Sequence, residues 1–169
     1  ETPASFEPAI DYVVIKIPRW PFDKFKGISR EVGVQMKATG EVMAIGRTFE
    51  EAFQKALRSL DMGFDGFEYV EYTEEDLAHP TDLIYFQIYS AIKDGMDIDE
   101  IGKITKIDNF FLYKIRNIVN FENEVTADKL DDENYLRTAK QIGCSNARLA
   151  NLTGQTEEYI RNLLKRYNI

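Results

Sequence analysis

The chain has 169 residues, of which 44% are hydrophobic and 12% aromatic, enough for one well-packed domain or for a domain with part of a second. Aspartates and glutamates number 29 against 21 lysines and arginines, and this net charge of -8 disfavours nucleic acid and anionic lipid as general partners. A single cysteine, Cys144, excludes an internal disulfide, and neither a long apolar run nor a signal-peptide pattern occurs, so we expect a cytoplasmic protein.

Two short apolar runs near the start have the composition of β-strands. Residues 10–17 are rich in β-branched and aromatic side chains and stop at Pro18. Residues 40–45 lie between glycines, which is typical of a strand buried on both faces, and we expect the two strands to pair. Glu41 stands out in the second run. Its carboxylate either faces water at a strand end or lines something that needs it.

A helix is predicted after the second strand. Thr48 followed three residues later by Glu51 is a capping-box pattern, and Gly63 is the predicted stop. Apolar residues recur at helical spacing and predict one buried stripe: Phe49, Ala52, Phe53, Ala56, Leu57 and Leu60.

Residues 63–79 are predicted to form a connector with one short helical turn. We place a domain boundary here, dividing the chain into residues 1–60 and 61–169. Helical patterns then follow at 82–94, 98–105, 108–124, 131–142, 146–152 and 157–167. The predicted fold is mainly α, a helical-hairpin bundle with a small N-terminal α+β part.

An internal repeat relates two of the helical pairs. A shift of 48 residues superimposes residues 101–115 on residues 149–163, and both copies read as a short helix, a tight turn, a cap and a longer helix. Asp108 and Thr156 are the predicted N-caps of the longer helices. We expect the two hairpins to pack together.

The residues that carry chemistry are sparse. One histidine, His79, and one cysteine supply neither a zinc ligand set nor a nucleophilic triad, and no GxxxxGK or GxGxxG loop occurs. His79 is predicted to lie in a loop and Cys144 to be a small packed residue. We therefore assign no catalytic, cofactor-binding or metal-binding residue to the chain.

Residues 146–167 have the pattern of a DNA-binding helix-turn-helix, with Gly154 in the turn and basic residues on the second helix: Arg161, Lys165 and Arg166. The first turn of that helix, which would approach the bases, carries Glu157 and Glu158 instead. Residues 145–169 hold four basic and two acidic side chains, a weak surplus in an acidic chain. A structural hairpin is the favoured interpretation, with DNA binding as the alternative.

Aromatic residues are dense on adjacent predicted helices, with the pairs Tyr85-Phe86 and Phe110-Phe111. Neighbours in a helix point along different faces, so one member of each pair is expected outside the core. This pattern favours self-association into a homo-oligomer.

Four blocks, in collinear order and covering nearly all of the chain, resemble the large subunit of carbamoyl phosphate synthetase: ASFEPAIDYVVIKIPRWPFDKF, QMKATGEVMAIGRTFEEAFQKALRSL, IDEIGKITKIDNFFLYKIRNIVNFE and AKQIGCSNARLANLTGQTEEYIR. The block from Gln35 to Thr48 is the most specific. The sequence departs mildly from the family at Ala38, Cys144 and Asn146, where serine, phenylalanine and aspartate are commoner.

The resemblance implies a fragment of an ATP-dependent carbon-nitrogen ligase that makes carbamoyl phosphate from bicarbonate, ammonia or glutamine and ATP, for arginine and pyrimidine biosynthesis. Residues 1–60 would be the end of the first ATP-grasp half, and 61–169 most of the oligomerisation domain. ATP and Mg or Mn would serve the parent chain, whose partners would be a glutaminase small subunit and further large subunits. The phosphate and metal ligands lie upstream of Glu1 in the family pattern, so the isolated fragment is expected to be inactive.

Through the QMKATGEV motif, the resemblance also implies that Met36 and Glu41 line the internal passage that carries carbamate between the two ATP sites. A carboxylate there would accept hydrogen bonds from carbamic acid or ordered water. The alternative is a strand-end glutamate bonded to a nearby arginine or backbone amide.

Overall fold

A computed structural model describes residues 11–22, 27 and 29–169. Within that part, the elements in chain order are β1 (Val13–Arg19), β2 (Gly40–Gly46), α1 (Phe49–Ser59), α2 (Glu74–Ala78), α3 (Ile84–Lys93), α4 (Ile98–Thr105), α5 (Asn109–Glu124), α6 (Glu133–Gln141), α7 (Asn146–Thr153) and α8 (Glu157–Arg166). A 3-10 turn at Asp128–Asp131 precedes α6. The chain is mainly helical, as the sequence predicts.

The strands form an antiparallel hairpin, which confirms their predicted pairing; Val14 lies opposite Ile45 and Pro18 opposite Glu41. The first strand was expected to stop at Pro18 but continues to Arg19. In a two-stranded sheet each strand has an open edge, where the missing N–H of a proline is tolerated. Residue 10, the predicted start, lies outside the described residues.

The prediction that the second strand is buried on both faces is wrong. Val42 and Ala44 pack inward, whereas Met43 and Ile45 are 60% and 50% exposed. The sheet packs against α1, and side chains alternate between its faces, so every second residue of β2 points away from the helix.

Helix α1 begins as predicted, with the Thr48 side chain accepting a hydrogen bond from the Glu51 N–H at 3.2 Å. The Glu51 carboxylate accepts from the Arg47 N–H at 2.7 Å, one residue before the cap. The helix ends at Ser59, ahead of the predicted stop at Gly63, and Asp61 turns the chain with a φ of 52°. The predicted stripe is confirmed, because its members lie in or against the core.

The predicted helices beyond residue 80 are all present, each end within two residues of its predicted position. The predicted short turn is α2, which Thr73 caps through a reciprocal bond with Asp76. One apolar cluster runs from Ile17 to Val119 and therefore crosses residue 60 without a break. The proposed division at residues 60 and 61 stays a prediction.

The two repeat hairpins are α4–α5 and α7–α8. Asp108 and Thr156 cap the longer helices, as predicted. The turns are equivalent too: Lys106 and Gly154, 48 residues apart, both have left-handed backbone, with φ of 62° and 68°.

The two hairpins meet as expected, through Arg148 of α7 and Glu122 of α5, although most of their apolar side chains lie in different clusters. Most apolar residues of α4 and α5 belong to the cluster that also contains α1 and α3, whereas Phe121 of α5 packs against the second cluster. Those of α7 and α8 form a second cluster with α6, and Ile142 is the side chain that packs against both. Each hairpin packs mainly against the helices that precede it, which are nearer in sequence than the other hairpin.

A buried ion pair joins the two clusters. Arg148 of α7 donates to Glu122 of α5 from Nε at 2.9 Å and from Nη2 at 2.6 Å. The Tyr89 hydroxyl of α3 donates to the same carboxylate at 2.6 Å and accepts from Arg148 at 3.2 Å. Burial alone would lower the pKa of the Arg148 guanidinium, but the bonded Glu122 carboxylate raises it. Burial and the Glu122 charge raise the pKa of Tyr89, so its hydroxyl remains a donor.

Removing one partner of this pair should be strongly destabilising. Arg148→Ala leaves the Glu122 carboxylate buried without its cation, which costs about 3–5 kcal/mol. Urea unfolding of the chain measures the change in the free energy of unfolding. Arg137→Ala is the control: at a partly exposed site Arg137 pairs with Glu133, which contributes below about 1 kcal/mol, and donates one hydrogen bond to the Tyr167 carbonyl, which contributes about 1 kcal/mol. Equal losses in the two variants would contradict this account.

Cys144 is buried, as predicted, and its surroundings suppress its acidity. Burial, with a smaller contribution from Glu122, raises the pKa of the thiol from 9.0 to about 12. Well below pH 9 the thiol is protonated in both the folded and the unfolded chain. Between pH 9 and 12 ionisation favours the unfolded chain, so the free energy of unfolding falls over this range.

We therefore expect Cys144 of the folded chain to resist thiol reagents such as Ellman's reagent at pH 8 to 9 and to react at once in urea. Since Cys144 is the single cysteine of the sequence, the release of thionitrobenzoate reports on this site alone. Rapid stoichiometric labelling of the native chain would contradict this expectation.

Candidate functional site

Glu41 stands at the start of β2 and pairs with Lys16 of β1, whose Nζ lies 2.7 Å from the carboxylate. Both side chains are more than half exposed. The local ion pair expected of a strand-end glutamate is therefore present, with a lysine in place of the predicted arginine or amide. Lys16 was the sequence signal for it: a charged residue in an apolar strand on the same face as Glu41.

The Lys16–Glu41 pair lies on the side of the hairpin that faces away from α1. We call this side the outer hairpin face and define it by Lys16, Glu41 and the exposed apolar residues Val14, Met43 and Ile45. Contiguous exposed apolar side chains rimmed by charge are typical of a contact surface.

Met36 lies in the loop before β2 and is 88% exposed. Two contacts fix this loop to the start of α3. Arg30 donates to the buried Asp82 carboxylate at 2.9 and 2.7 Å, and the Val32 N–H donates to the Pro80 carbonyl at 2.7 Å. The Arg30–Asp82 pair spans 52 residues, and no local pattern in the sequence indicated it.

A second exposed apolar surface lies on α5. Phe110, Phe111 and Tyr113, which we call the α5 aromatic surface, are 55%, 43% and 41% exposed. The prediction that one member of each aromatic pair stays outside the core is wrong for Phe110-Phe111, because both are exposed. Phe49 supports them from α1, with ring centroids 6.3 Å from Phe110 and 5.5 Å from Phe111. In the other pair Phe86 is buried and Tyr85 half-buried, in line with that prediction.

Cations accompany this surface. The Lys114 Nζ lies 5.5 Å from the centre of the Phe110 ring, and the Arg116 guanidinium 4.5 Å from that of Tyr113. Aromatic residues and arginine are the types enriched at protein interfaces. The arrangement is suited to binding protein.

The α7–α8 hairpin does not support the nucleic-acid interpretation. Glu157 and Glu158 occupy the first turn of α8 and are exposed. Like charge would meet the phosphates at the end of the helix that reads bases in a helix-turn-helix protein. Nothing in the described part of the chain favours DNA binding.

Among the described residues, no group of three or more histidine, cysteine or acidic side chains is placed to hold a metal ion. His79, predicted to lie in a loop, follows the last residue of α2 and lies 3.5 Å from Glu31. In the same part of the chain, no helix has the length and apolar content needed to cross a membrane.

Comparison with known proteins points to one family. Residues 41–168 match the family model described as carbamoyl-phosphate synthetase large chain, oligomerisation domain. The chain is 80% identical over its whole length to the carbamoyl phosphate synthase large chain of Methanobrevibacter smithii and 62% identical to that of Methanothermobacter thermautotrophicus. The large chain of Caldanaerobacter subterraneus subsp. tengcongensis is 47% identical over 100% of this chain.

In each of these three comparisons the chain spans 16% of the length of its relative. The match follows the helices and the hairpin strand β2 in a single continuous stretch. The chain therefore belongs to the family of the carbamoyl-phosphate synthetase large chain, as its oligomerisation domain.

Proposed function

We propose that this chain is a segment of a carbamoyl phosphate synthetase large chain that connects the two synthetase halves and holds copies of the enzyme together. One observation carries the proposal: a member of the oligomerisation-domain family leaves two separate apolar surfaces uncovered, the outer hairpin face and the α5 aromatic surface. Two surfaces suit a segment with two neighbours.

The reaction of the complete chain proceeds in three steps. ATP phosphorylates bicarbonate, ammonia displaces the phosphate to give carbamate, and a second ATP phosphorylates carbamate to carbamoyl phosphate. The ATP and the Mg or Mn that it needs bind to other parts of the large chain, so the isolated segment is inactive. A glutaminase small subunit supplies the ammonia, the enzyme is cytoplasmic, and the product serves arginine and pyrimidine biosynthesis.

The outer hairpin face packs against the rest of the first synthetase half, an ATP-grasp domain whose end is residues 1–60. A two-stranded hairpin has open edges and is marginal alone, so more strands are the natural partner. Covering this face removes the apolar side chains of Val14, Met43 and Ile45 from water.

Met36 and Glu41 form part of the wall of the carbamate passage at this junction. Lys16, at 2.7 Å, holds the Glu41 carboxylate on the outer hairpin face. The carboxylate can accept hydrogen bonds from carbamic acid or from ordered water, while the Met36 thioether supplies an apolar surface that excludes bulk water. A wall that excludes bulk water protects carbamate from decomposition before it reaches the second ATP site.

The passage assignment is tested with Glu41→Gln in the full-length large chain. The amide keeps the size of the side chain but loses an acceptor charge, so about 1 kcal/mol of hydrogen bonding is lost and synthesis falls about fivefold. Bicarbonate-dependent ATP hydrolysis, which needs only the first site, stays at the wild-type rate. The measurement is the number of ATP molecules hydrolysed per carbamoyl phosphate formed.

Glu158→Gln is the matched control, because Glu158 is an exposed carboxylate on α8 far along the chain from the hairpin. It should leave the ratio of ATP to product unchanged. A wild-type ratio in Glu41→Gln would exclude Glu41 from the passage.

The α5 aromatic surface is tested through the oligomeric state. Phe110→Ser combined with Phe111→Ser removes two exposed rings that would fill the centre of an interface, where such residues contribute about 2 kcal/mol or more each. Together these give about 4 kcal/mol, so we expect the self-association constant of the large chain to weaken by nearly 1,000-fold in sedimentation velocity over a concentration series.

The control is Tyr69→Ser, since Tyr69 is a comparably exposed aromatic residue in the connector before α2. Its self-association should match that of the wild type. If the double variant also keeps the wild-type association constant, another face mediates assembly.

A further inference from the structure

The turn between α6 and α7 is docked on α1 through its main chain. The Ile142 carbonyl accepts from Gln54 Nε2 at 2.8 Å, and the Gly143 carbonyl accepts from Arg58 Nη1 at 2.8 Å. The Thr48 hydroxyl reaches the Gln141 carbonyl at 3.5 Å. Three successive carbonyls of one turn are therefore met by side chains of α1 and its cap. We call residues 141–143 with these donors the α1 clasp.

Gly143 allows this approach, and any larger residue would prevent it. Its φ is +96°, a backbone conformation that L side chains rarely adopt. A Cβ at this position would lie 2.8 Å from the Glu51 Cα and 3.2 Å from the Glu51 carbonyl oxygen. Both obstacles are main chain of a helix and cannot move aside. The turn can lie this close to α1 because residue 143 has no Cβ atom.

The clasp connects regions that belong mainly to two different apolar clusters, both of which Ile142 contacts. Helix α1 follows β2 after two residues and carries Phe53 and Leu57 into the first apolar cluster. Directly after the turn, Ser145 caps α7, whose residues lie in the second cluster. Ser145 also donates to the Asp65 carbonyl at 3.1 Å, just beyond α1. The strand that bears Glu41 and the α7–α8 hairpin are therefore positioned relative to each other through α1.

Helix α1 is braced on a further side as well. The Glu50 carboxylate accepts from the Asn117 side-chain amide of α5 at 2.9 Å and lies 3.4 Å from Lys114 Nζ. Helix α1 therefore contacts the sheet, α5 and the turn at once, so the turn and the hairpin face share one support.

We propose that Gly143 is a positioning residue for carbamate transfer: the α1 clasp sets the register between the passage wall on β2 and the hairpin that leads towards the second synthetase half. This inference rests on the proposed function. In this proposal Gly143 contacts neither carbamate nor nucleotide. It acts through the alignment of two walls, and a small misplacement of a positioned group is enough to impair a reaction sequence.

The test compares two glycines in the full-length large chain. Gly143→Ala places a methyl group against Glu51, whereas Gly95→Ala places one in open space at nearly the same φ, +92°. The backbone strain of the two variants is matched, and the close approach to α1 is confined to Gly143. The readouts are the ATP hydrolysed per carbamoyl phosphate formed and the rate of bicarbonate-dependent ATP hydrolysis without ammonia.

For Gly143→Ala we expect about a twofold or greater rise in ATP consumed per carbamoyl phosphate, with bicarbonate-dependent hydrolysis unchanged. Gly95→Ala should keep the wild-type ratio. An equal rise in both variants would overturn the proposal, because strain alone would then explain the leak. A wild-type ratio in folded Gly143→Ala would also overturn it.

A second variant covers the case in which Gly143→Ala does not fold. Gln54→Met keeps the buried side chain at a similar size and removes the donor to the Ile142 carbonyl. It should raise the ratio in the same direction. If Glu41→Gln leaks and Gln54→Met does not, the clasp has no role in transfer. If Glu41→Gln itself does not leak, the passage assignment fails instead.

Discussion

The buried contact of Arg148 with Glu122 and Tyr89 is the constraint on which the arrangement of the helices depends. Taking two charges out of water is expensive, and good geometry offsets that cost only when both ions keep their hydrogen bonds. Here the guanidinium meets the carboxylate through two nitrogens, and the Tyr89 hydroxyl completes the set. One orientation of α7 against α3 and α5 satisfies all three groups. Apolar packing alone tolerates many orientations of one helix against another. The two clusters therefore stabilise the fold, and the ion pair fixes the orientation of α7.

The ion pair and the two clusters together explain how a rigid arrangement of helices can carry exposed apolar surfaces. Each cluster is formed by the apolar faces of amphipathic helices that pack against one another. One face of the hairpin and one end of α5 nevertheless expose large apolar side chains to water. An isolated globular protein gains nothing from such surfaces. A segment that lies between neighbours needs them, and it also needs a fixed internal frame so that both surfaces are presented at a constant angle.

Local sequence signals were sufficient for the elements and insufficient for their arrangement. The caps at Thr48, Asp108 and Thr156 and the helical periodicities predicted where helices begin, because those signals act over a single turn. The burial of β2 was misjudged, since composition does not reveal how many strands a sheet contains. The repeat predicted that the two hairpins pack together; they meet at the Arg148–Glu122 pair, but most apolar residues of each hairpin lie in a different cluster, which the repeat did not reveal. Contacts such as Arg30 with Asp82, 52 residues apart, leave no local trace. Met36 came from the family resemblance alone, whereas Glu41 also stood out as an acidic residue in an apolar strand; its proposed role came from the resemblance.

The turns of the two repeat hairpins differ in one residue that matters. The backbone is left-handed in both, but the first copy has Lys106 where the second has Gly154. A side chain in this conformation costs on the order of 1 kcal/mol, and such a cost persists only where the surroundings over-determine the backbone. The first hairpin belongs to the larger apolar cluster, whose many packing contacts can offset this conformational cost. The second belongs to the smaller one and has the unstrained residue. The two turns thus share one backbone conformation at different conformational cost, which is smaller where the residue is glycine.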